Sequence, residues 1–256
     1  MGRMTGKVAL VTGGAEGIGA AIARLVIADG GSVMLADIQL AKAQALAQQL
    51  GDDAAAVELD VRDFGQWQRA VATTLDRFGK LNVLCNVAGI SEPGNVVDVE
   101  LDSWQRTIDI NLNGTFNGCR AALPAMEANG EKGAVVNIGS MLALRPGAIF
   151  AAYSASKAGV TALTKTIALD CAARGVPIRA NVVHPGAIRT PMYERYQHAG
   201  PATPEDIETA FAATHPMNRI GEADEVARAV VFLASEDASF TTGADVTVDG
   251  GGAIRG

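Results

Sequence analysis

The sequence lacks several features that would steer it towards particular functions. Its three cysteines, Cys85, Cys119 and Cys171, stand far apart in apolar surroundings, and no CxxC pair occurs among the 256 residues. An odd, unpatterned set reads as reduced core thiols, not as a disulfide framework. The three histidines, His184, His198 and His215, show no metal-ligand spacing such as HExxH, so no metal site is expected. There is no run of Lys and Arg, and the net charge is −7. Both argue against a nucleic-acid partner. The amino-terminal apolar run is only Val8 to Val11, too short for a signal-peptide core. No stretch approaches the ~20 apolar residues of a membrane span. A cytoplasmic protein with no membrane contact is the expectation. No linker, repeat or low-complexity tract divides the chain.

What the sequence does contain is an alternation. Short β-branched runs, from Lys7–Thr12 ("KVALVT") onward through "SVMLAD", "AAAVELD", "LNVLCN", "GAVVNIGS", "PIRANVVHPG" and "DVTVDGG", read as seven strands. Between them lie Ala- and Leu-rich segments with helical periodicity. One helix opens at Gly17, one covers Phe64 to Gly79, one is long from Leu101 to Asn129, and one follows Ala151. Two more cover Pro204–Thr214 and Glu222–Ser235. Strands alternating with helices at ~30-residue intervals form right-handed βαβ units on a parallel sheet. The expected fold is α/β: a single doubly wound, Rossmann-type domain over residues 1–256, with a seven-stranded parallel sheet and helices on both faces.

The first strand runs into "TGGAEGIG", Thr12 to Gly19, and then into a helix. Gly13, Gly17 and Gly19 would permit a sharp turn, a close approach to a pyrophosphate, and a helix lying tight on the sheet. The spacing is GxxxGxG, not the usual GxGxxG, and a plain strand-to-helix connection could also use it. Asp37 closes the second strand, 20 residues after Gly17. A carboxylate there accepts from both adenosine ribose hydroxyls and repels a 2′-phosphate. Asp37 could instead cap the next helix. The turn carries Glu16, and no base follows Asp37 until Lys42. Two acids without a base favour NAD(H) over NADP(H).

In "AAYSASKAG", Tyr153 precedes Lys157 by four residues, so on a helix they share a face. Alone, this could be two amphipathic side chains on an outer surface. Yet a tyrosine titrating near about 10 becomes a usable acid or base when a cation favours its phenolate. The wider pattern resembles the short-chain dehydrogenase/reductase family over about Thr5 to Gly251. It comprises TGxxxGxG, "NVAG" at Asn86–Gly89, Asn111 in "INLNG", Ser140 after the fifth strand, YxxxK, and the Pro185–Gly186 pair. The family usually has NNAG, and Val87 replaces the second Asn. The resemblance implies a catalytic tetrad of Asn111, Ser140, Tyr153 and Lys157. Ser140 would hold the substrate oxygen, Lys157 the nicotinamide ribose, and Asn111 a water. Ser140 could otherwise be a turn residue, and Asn111 could bind backbone. The cofactor set comprises Gly13, Glu16, Gly17, Ile18, Gly19, Asp37 and Ile38 on the first half of the sheet. Asp60 and Val61 are implied at the adenine, followed by Asn86, Ala88, Gly89, Tyr153 and Lys157. Pro185, Gly186, Ile188 and Thr190 are implied along the nicotinamide.

Residues 190–220 are expected to form a substrate lid. Thr203, Pro204 and Asp206 outline a helix start with a capping-box-like pattern. Met192, Tyr193, Tyr196, Phe211 and Met217 could line an apolar pocket, or could simply pack the lid onto the body. Met141, Leu142, Leu144 and Phe150 lie near the catalytic pair in sequence. No Arg cluster suits a substrate anion, although Arg145, Arg189 and Arg195 are close in sequence. The segment "HPGAIRTPM" is similar to that of bacterial hydroxysteroid and cyclic secondary-alcohol dehydrogenases. The expected activity is NAD-dependent interconversion of an apolar, cyclic or steroid-like secondary alcohol and its ketone. A 3-oxoacyl thioester reductase and a non-catalytic NAD(H)-binding regulator are the alternatives. The resemblance further implies a homotetramer.

Overall fold

The structure is a computed structural model that describes residues 2–197 and 202–255. His198, Gly200 and Pro201, part of the expected lid and histidine set, lie outside the described residues. The chain opens with β1 (Val8–Thr12), α1 (Gly17–Ala28), β2 (Ser32–Asp37), α2 (Leu40–Leu50), β3 (Ala54–Glu58), α3 (Phe64–Phe78) and β4 (Val83–Asn86). It continues through α4 (Leu101–Ile108), a π-helical turn (Asp109–Asn113), α5 (Gly114–Ala128), β5 (Gly133–Ile138), α6 (Met141–Leu144), α7 (Ala151–Ala173) and β6 (Ile178–Pro185). The last part holds β7 (Ile188–Arg189), α8 (Pro191–Gln197), α9 (Pro204–Ala212), β8 (Gly221–Glu222), α10 (Ala223–Ala234) and β9 (Asp245–Val248).

Among the described residues, seven strands form one parallel sheet in the order β3-β2-β1-β4-β5-β6-β9. Side chains alternate across it. Ala9 and Val11 of β1 face the core under α1, α2 and α10, while Leu10 faces the core under α3, α5 and α7. Strands buried on both faces need continuous apolar runs, which is why "VALV" carries no polar residue. The order reverses between β1 and β4, so the crevice of a doubly wound sheet opens at their carboxyl ends. No helix among the described residues is long and apolar enough to cross a membrane.

The long helix expected from Leu101 to Asn129 is continuous but not uniform. Its middle, Asp109–Asn113, is a π turn, and Asn111 is buried within it. The extra residue in that turn offsets α5 from the register of α4. The expected cap of α9 is present. Thr203 Oγ1 accepts from the Asp206 N–H, and the Asp206 carboxylate accepts from the Thr203 N–H. Asp37 does not occupy the cap of α2. That position is Gln39, and Asp37 Oδ1 accepts from the Gln39 N–H at 2.8 Å. The β7–β8 pair and the short helices α6 and α8 are additions that the periodicity did not mark.

Candidate active site

Thr12 fastens the crevice. Its Oγ1 accepts from the Val87 and Ala88 N–H groups, at 3.0 and 3.1 Å, joining the glycine turn to the segment after β4. Gly13 and Gly17 hold φ of 61° and 55°, values that an L side chain resists. A Cβ on Gly19 would fall 2.1 Å from the Gly13 carbonyl oxygen. The first N–H groups of α1 receive no side-chain cap, because Glu16 turns away. They remain as donors at the positive end of the helix dipole. This turn forms one wall of a cavity of about 310 Å³. Asp37 and Ile38, Asp60 and Val61, Ala88 and Gly89, and Thr190 complete its expected lining. Both Asp37 oxygens are engaged, Oδ2 by the Ala15 N–H at 3.0 Å.

Three details depart from the expected arrangement. The side chain of Asn86 does not line the cavity. It points inward, where Nδ2 donates to Asn137 Oδ1 at 2.8 Å, its direct partner in the β4–β5 register. The ribose end is not free of bases, because Lys42 Nζ reaches Glu16 Oε2 at 2.9 Å. Arg62 also lines the cavity, and it forks onto Asp60. That ion pair holds the Asp60 carboxyl below its ordinary range. Each base is matched to an acid, so the expected pair of unopposed acids is corrected to two ion pairs beside a buried Asp37.

A second cavity, of about 340 Å³, holds Ser140, Tyr153 and Lys157 together with Pro185, Gly186 and Ile188. Lys157 is buried and donates to the Ile138 carbonyl at 2.9 Å. Its Nζ stands 5.7 Å from the centroid of the Tyr153 ring. Asn111 lines neither cavity. Its amide spans Ile90, accepting from the N–H and donating to the carbonyl, both at 2.9 Å, and also donates to Ser156 Oγ. Gly89 is the junction: a Cβ there would lie 3.1 Å from Asn111 Oδ1 and 3.4 Å from Lys157 Nζ.

The chain is matched over residues 13–252 by the family model described as enoyl-(acyl carrier protein) reductase. It is 41% identical to trans-4-hydroxycyclohexanecarboxylate dehydrogenase of Sinomonas cyclohexanicum, covering 97% of this chain and 93% of that one. It is 42% identical to 3-alpha-(or 20-beta)-hydroxysteroid dehydrogenase of Mycobacterium bovis, covering 98% and 90%. The solved aldohexose dehydrogenase of Thermoplasma acidophilum superimposes with a TM-score of 0.88 at 35% identity, over 99% of this chain and 96% of that one. The chain belongs to the short-chain dehydrogenase/reductase family. This is a family of oxidoreductases that use nicotinamide cofactors.

Within this family frame, burial dominates the electrostatics of the second cavity. Burial pushes the Tyr153 phenol up to about 12, with the Ser140 hydroxyl opposing the rise. Burial also pushes Lys157 down to about 8. Desolvation is the largest influence on the phenol, and the tyrosine is protonated at neutral pH.

The apolar walls are aromatic and aliphatic. Met141, Leu142, Phe150, Met192, Tyr193, Tyr196 and Phe211 all line the cavity. Phe150 meets the Tyr153 and Tyr196 rings edge-on at 6.4 and 6.1 Å, and Phe211 meets Tyr193 at 5.4 Å. Leu144 and Met217 do not join them. Leu144 is exposed, and Met217 lines a separate cavity beside Gly250. Arg145 donates to the Gly252 carbonyl, and Arg189 pairs with Glu208 and Glu222. Sequence reasoning missed Ser91, whose Oγ lies 2.6 Å from the Tyr196 hydroxyl and ties the body to α8. No local pattern marks that serine. Among the described residues, no cluster of three His, Cys, Asp or Glu could hold a metal ion.

Proposed function

We propose that this chain interconverts an apolar, cyclic or steroid-like secondary alcohol and its ketone, with NAD(H) as hydride carrier. The observation that carries this reading is the meeting of Tyr153 and Lys157 in an apolar cavity that shares its wall with the Asp37 cleft. The cyclohexane and steroid alcohols named for the two relatives support the substrate class.

The glycine turn fits a dinucleotide. A side chain at Gly19 would strike the turn itself, and the uncapped N–H groups of α1 suit a pyrophosphate. Asp37, held by two backbone N–H groups, would accept from the adenosine ribose and stand where a 2′-phosphate would have to fit. Asp60 and Val61 would flank the adenine, and Ile188 and Thr190 the nicotinamide amide. When bound, the cofactor supplies the hydride acceptor or donor and, in its oxidised form, a positive ring.

The rest is the work of this chain's own side chains. Ser140 donates its hydroxyl proton towards the substrate oxygen and shares the charge that develops there. Tyr153 as the phenol, its form at neutral pH, gives its proton to a ketone oxygen in reduction and is left as phenolate. In oxidation it is the phenolate, favoured by the Lys157 cation, that takes the alcohol's proton. Lys157 contributes a cation beside the ring. Asn111 ties the π turn to Ile90, next to Gly89, and would hold the water that links Lys157 to solvent. The Tyr196–Ser91 bond and the aromatic contacts of Tyr196 with Phe150 and Phe211 support the reading of α8 and α9 as parts of a lid that shields this proton transfer from water. Exposed Trp104, Phe116 and Leu169 on α4, α5 and α7 support assembly into a homotetramer through those helices.

The test is an NADH-fluorescence screen over cyclic alcohols, hydroxysteroids, diols and acyl thioesters. Turnover of cyclic alcohols or hydroxysteroids, at least about tenfold faster with NAD than with NADP, is the expected result. Turnover confined to acyl thioesters, or equal with both cofactors, overturns the proposal.

A further inference from the structure

β6 ends in Val183, His184 and Pro185, and His184 is completely buried. The mechanism proposed above makes no use of its imidazole, yet the ring has two polar partners on opposite sides. Nε2 lies 3.0 Å from Asp245 Oδ1 at the start of β9. The other oxygen of Asp245 pairs with Lys165 on α7. Nδ1 faces the peptide of Ser140, 3.2 Å from its nitrogen and 2.9 Å from its carbonyl oxygen. That carbonyl already accepts from the Ala143 N–H at 2.9 Å. The approach is tight because Gly139 precedes the serine: a Cβ on Gly139 would fall 2.5 Å from His184 Nδ1.

Ser140 occupies an awkward place in the chain. It leaves β5 and serves as N-cap of α6, its Oγ accepting from the Leu142 N–H at 3.1 Å. That bond holds the side chain from one end only. The peptide N–H of Ser140 is the other end, and in a buried turn it needs an acceptor of its own.

We propose that His184 is a positioning residue that clamps the Ser140 peptide and so aims the Ser140 hydroxyl into the catalytic cavity. Asp245 accepts a hydrogen bond from Nε2–H and so fixes the ring and its tautomer. Nδ1 then offers its lone pair to the Ser140 N–H. With its peptide held by His184 and its Oγ held by Leu142, the serine has one free bonding direction left for its hydroxyl proton, towards the cavity. This inference rests on the reading of Ser140 as the donor to the substrate oxygen.

Two substitutions separate the two ends of the ring. His184→Asn keeps a polar atom near the Nδ1 position, and His184→Gln keeps one near Nε2. The His184→Gln variant is expected to lose about 30-fold in kcat, with KM and the Kd for NADH within about twofold of the parent, as misaiming of a reacting group does. The His184→Asn variant is expected to stay within about fivefold in kcat. Full activity in folded His184→Gln protein, or equal losses in both variants, overturns the proposal. Should neither variant bind NADH, Asp245→Asn reads the same clamp from its solvent end. A loss of about tenfold in kcat at unchanged KM supports it, and an unchanged kcat overturns it. Ser140→Ala is measured alongside. If it keeps the parent's activity, the reading of the serine falls and the clamp falls with it. If it is inactive while His184→Gln is active, only the clamp falls.

Discussion

The cavity beside the glycine turn is built around backbone. Three glycines, the first N–H groups of α1 and the bend after β4 form its floor, and side chains such as Asp37, Ile38, Asp60, Val61 and Arg62 line its rim. The Tyr153 cavity is lined chiefly by side chains, drawn from the segment after β4, α6, α7, α8 and α9. The first design tolerates broad change in sequence as long as no Cβ intrudes. The second can be retuned one residue at a time, which is how relatives with one fold come to be named for hexoses, cyclohexanes and steroids.

Three experiments would break or sharpen this contrast. The largest effect belongs to Tyr153→Phe, which removes one oxygen from the side-chain cavity and touches nothing in the cleft. Turnover should fall by about a thousandfold or more, with the NADH Kd from fluorescence titration unchanged. A variant with near-parent turnover removes Tyr153 from the proton route. Next is Lys157→Met, read by thermal melts across pH. Burial holds the Lys157 ammonium at about 8 against its ordinary 10.5. Between those values the unfolded chain binds a proton that the folded chain has released, so the parent gains stability as pH rises. The methionine variant should therefore be the more stable protein below pH 8, by up to about 3 kcal/mol from charge burial alone, and the advantage should vanish by about pH 10.5. A gap that does not change with pH shows the lysine to be solvated. The smallest effect is that of Asp37→Ala, which should raise the Kd for NADH about tenfold and leave that for NADPH unchanged or lower. A constant ratio of the two takes Asp37 away from the ribose.

The same contrast explains how much of the molecule could be read from its sequence. The doubly wound sheet was legible because strands buried on both faces must be apolar throughout, as Val8–Val11 are. The glycine turn was legible because Gly19 has no room for a side chain. What escaped depends on partners distant in the chain. Asn86 turns inward because Asn137 stands opposite it on β5. Lys42 reaches back across 26 residues to Glu16. The π turn around Asn111 lies inside a continuous helical segment and has no compositional mark. Spacing also showed that Tyr153 and Lys157 share a helix face, but not that burial would raise the phenol. Met217 looked like lid lining and went to another cavity, since the chain turns at Gly250–Gly251 to meet it.

One strip of residues, Ile18, Val87, Gly89, Thr190 and Met192, borders both chambers. A shift of that strip to suit one occupant alters the room left for the other, so the two affinities are coupled. Thermodynamic reciprocity then makes the factor the same in each direction: however much a seated dinucleotide tightens or loosens the hold on an alcohol, the alcohol returns that factor to the dinucleotide.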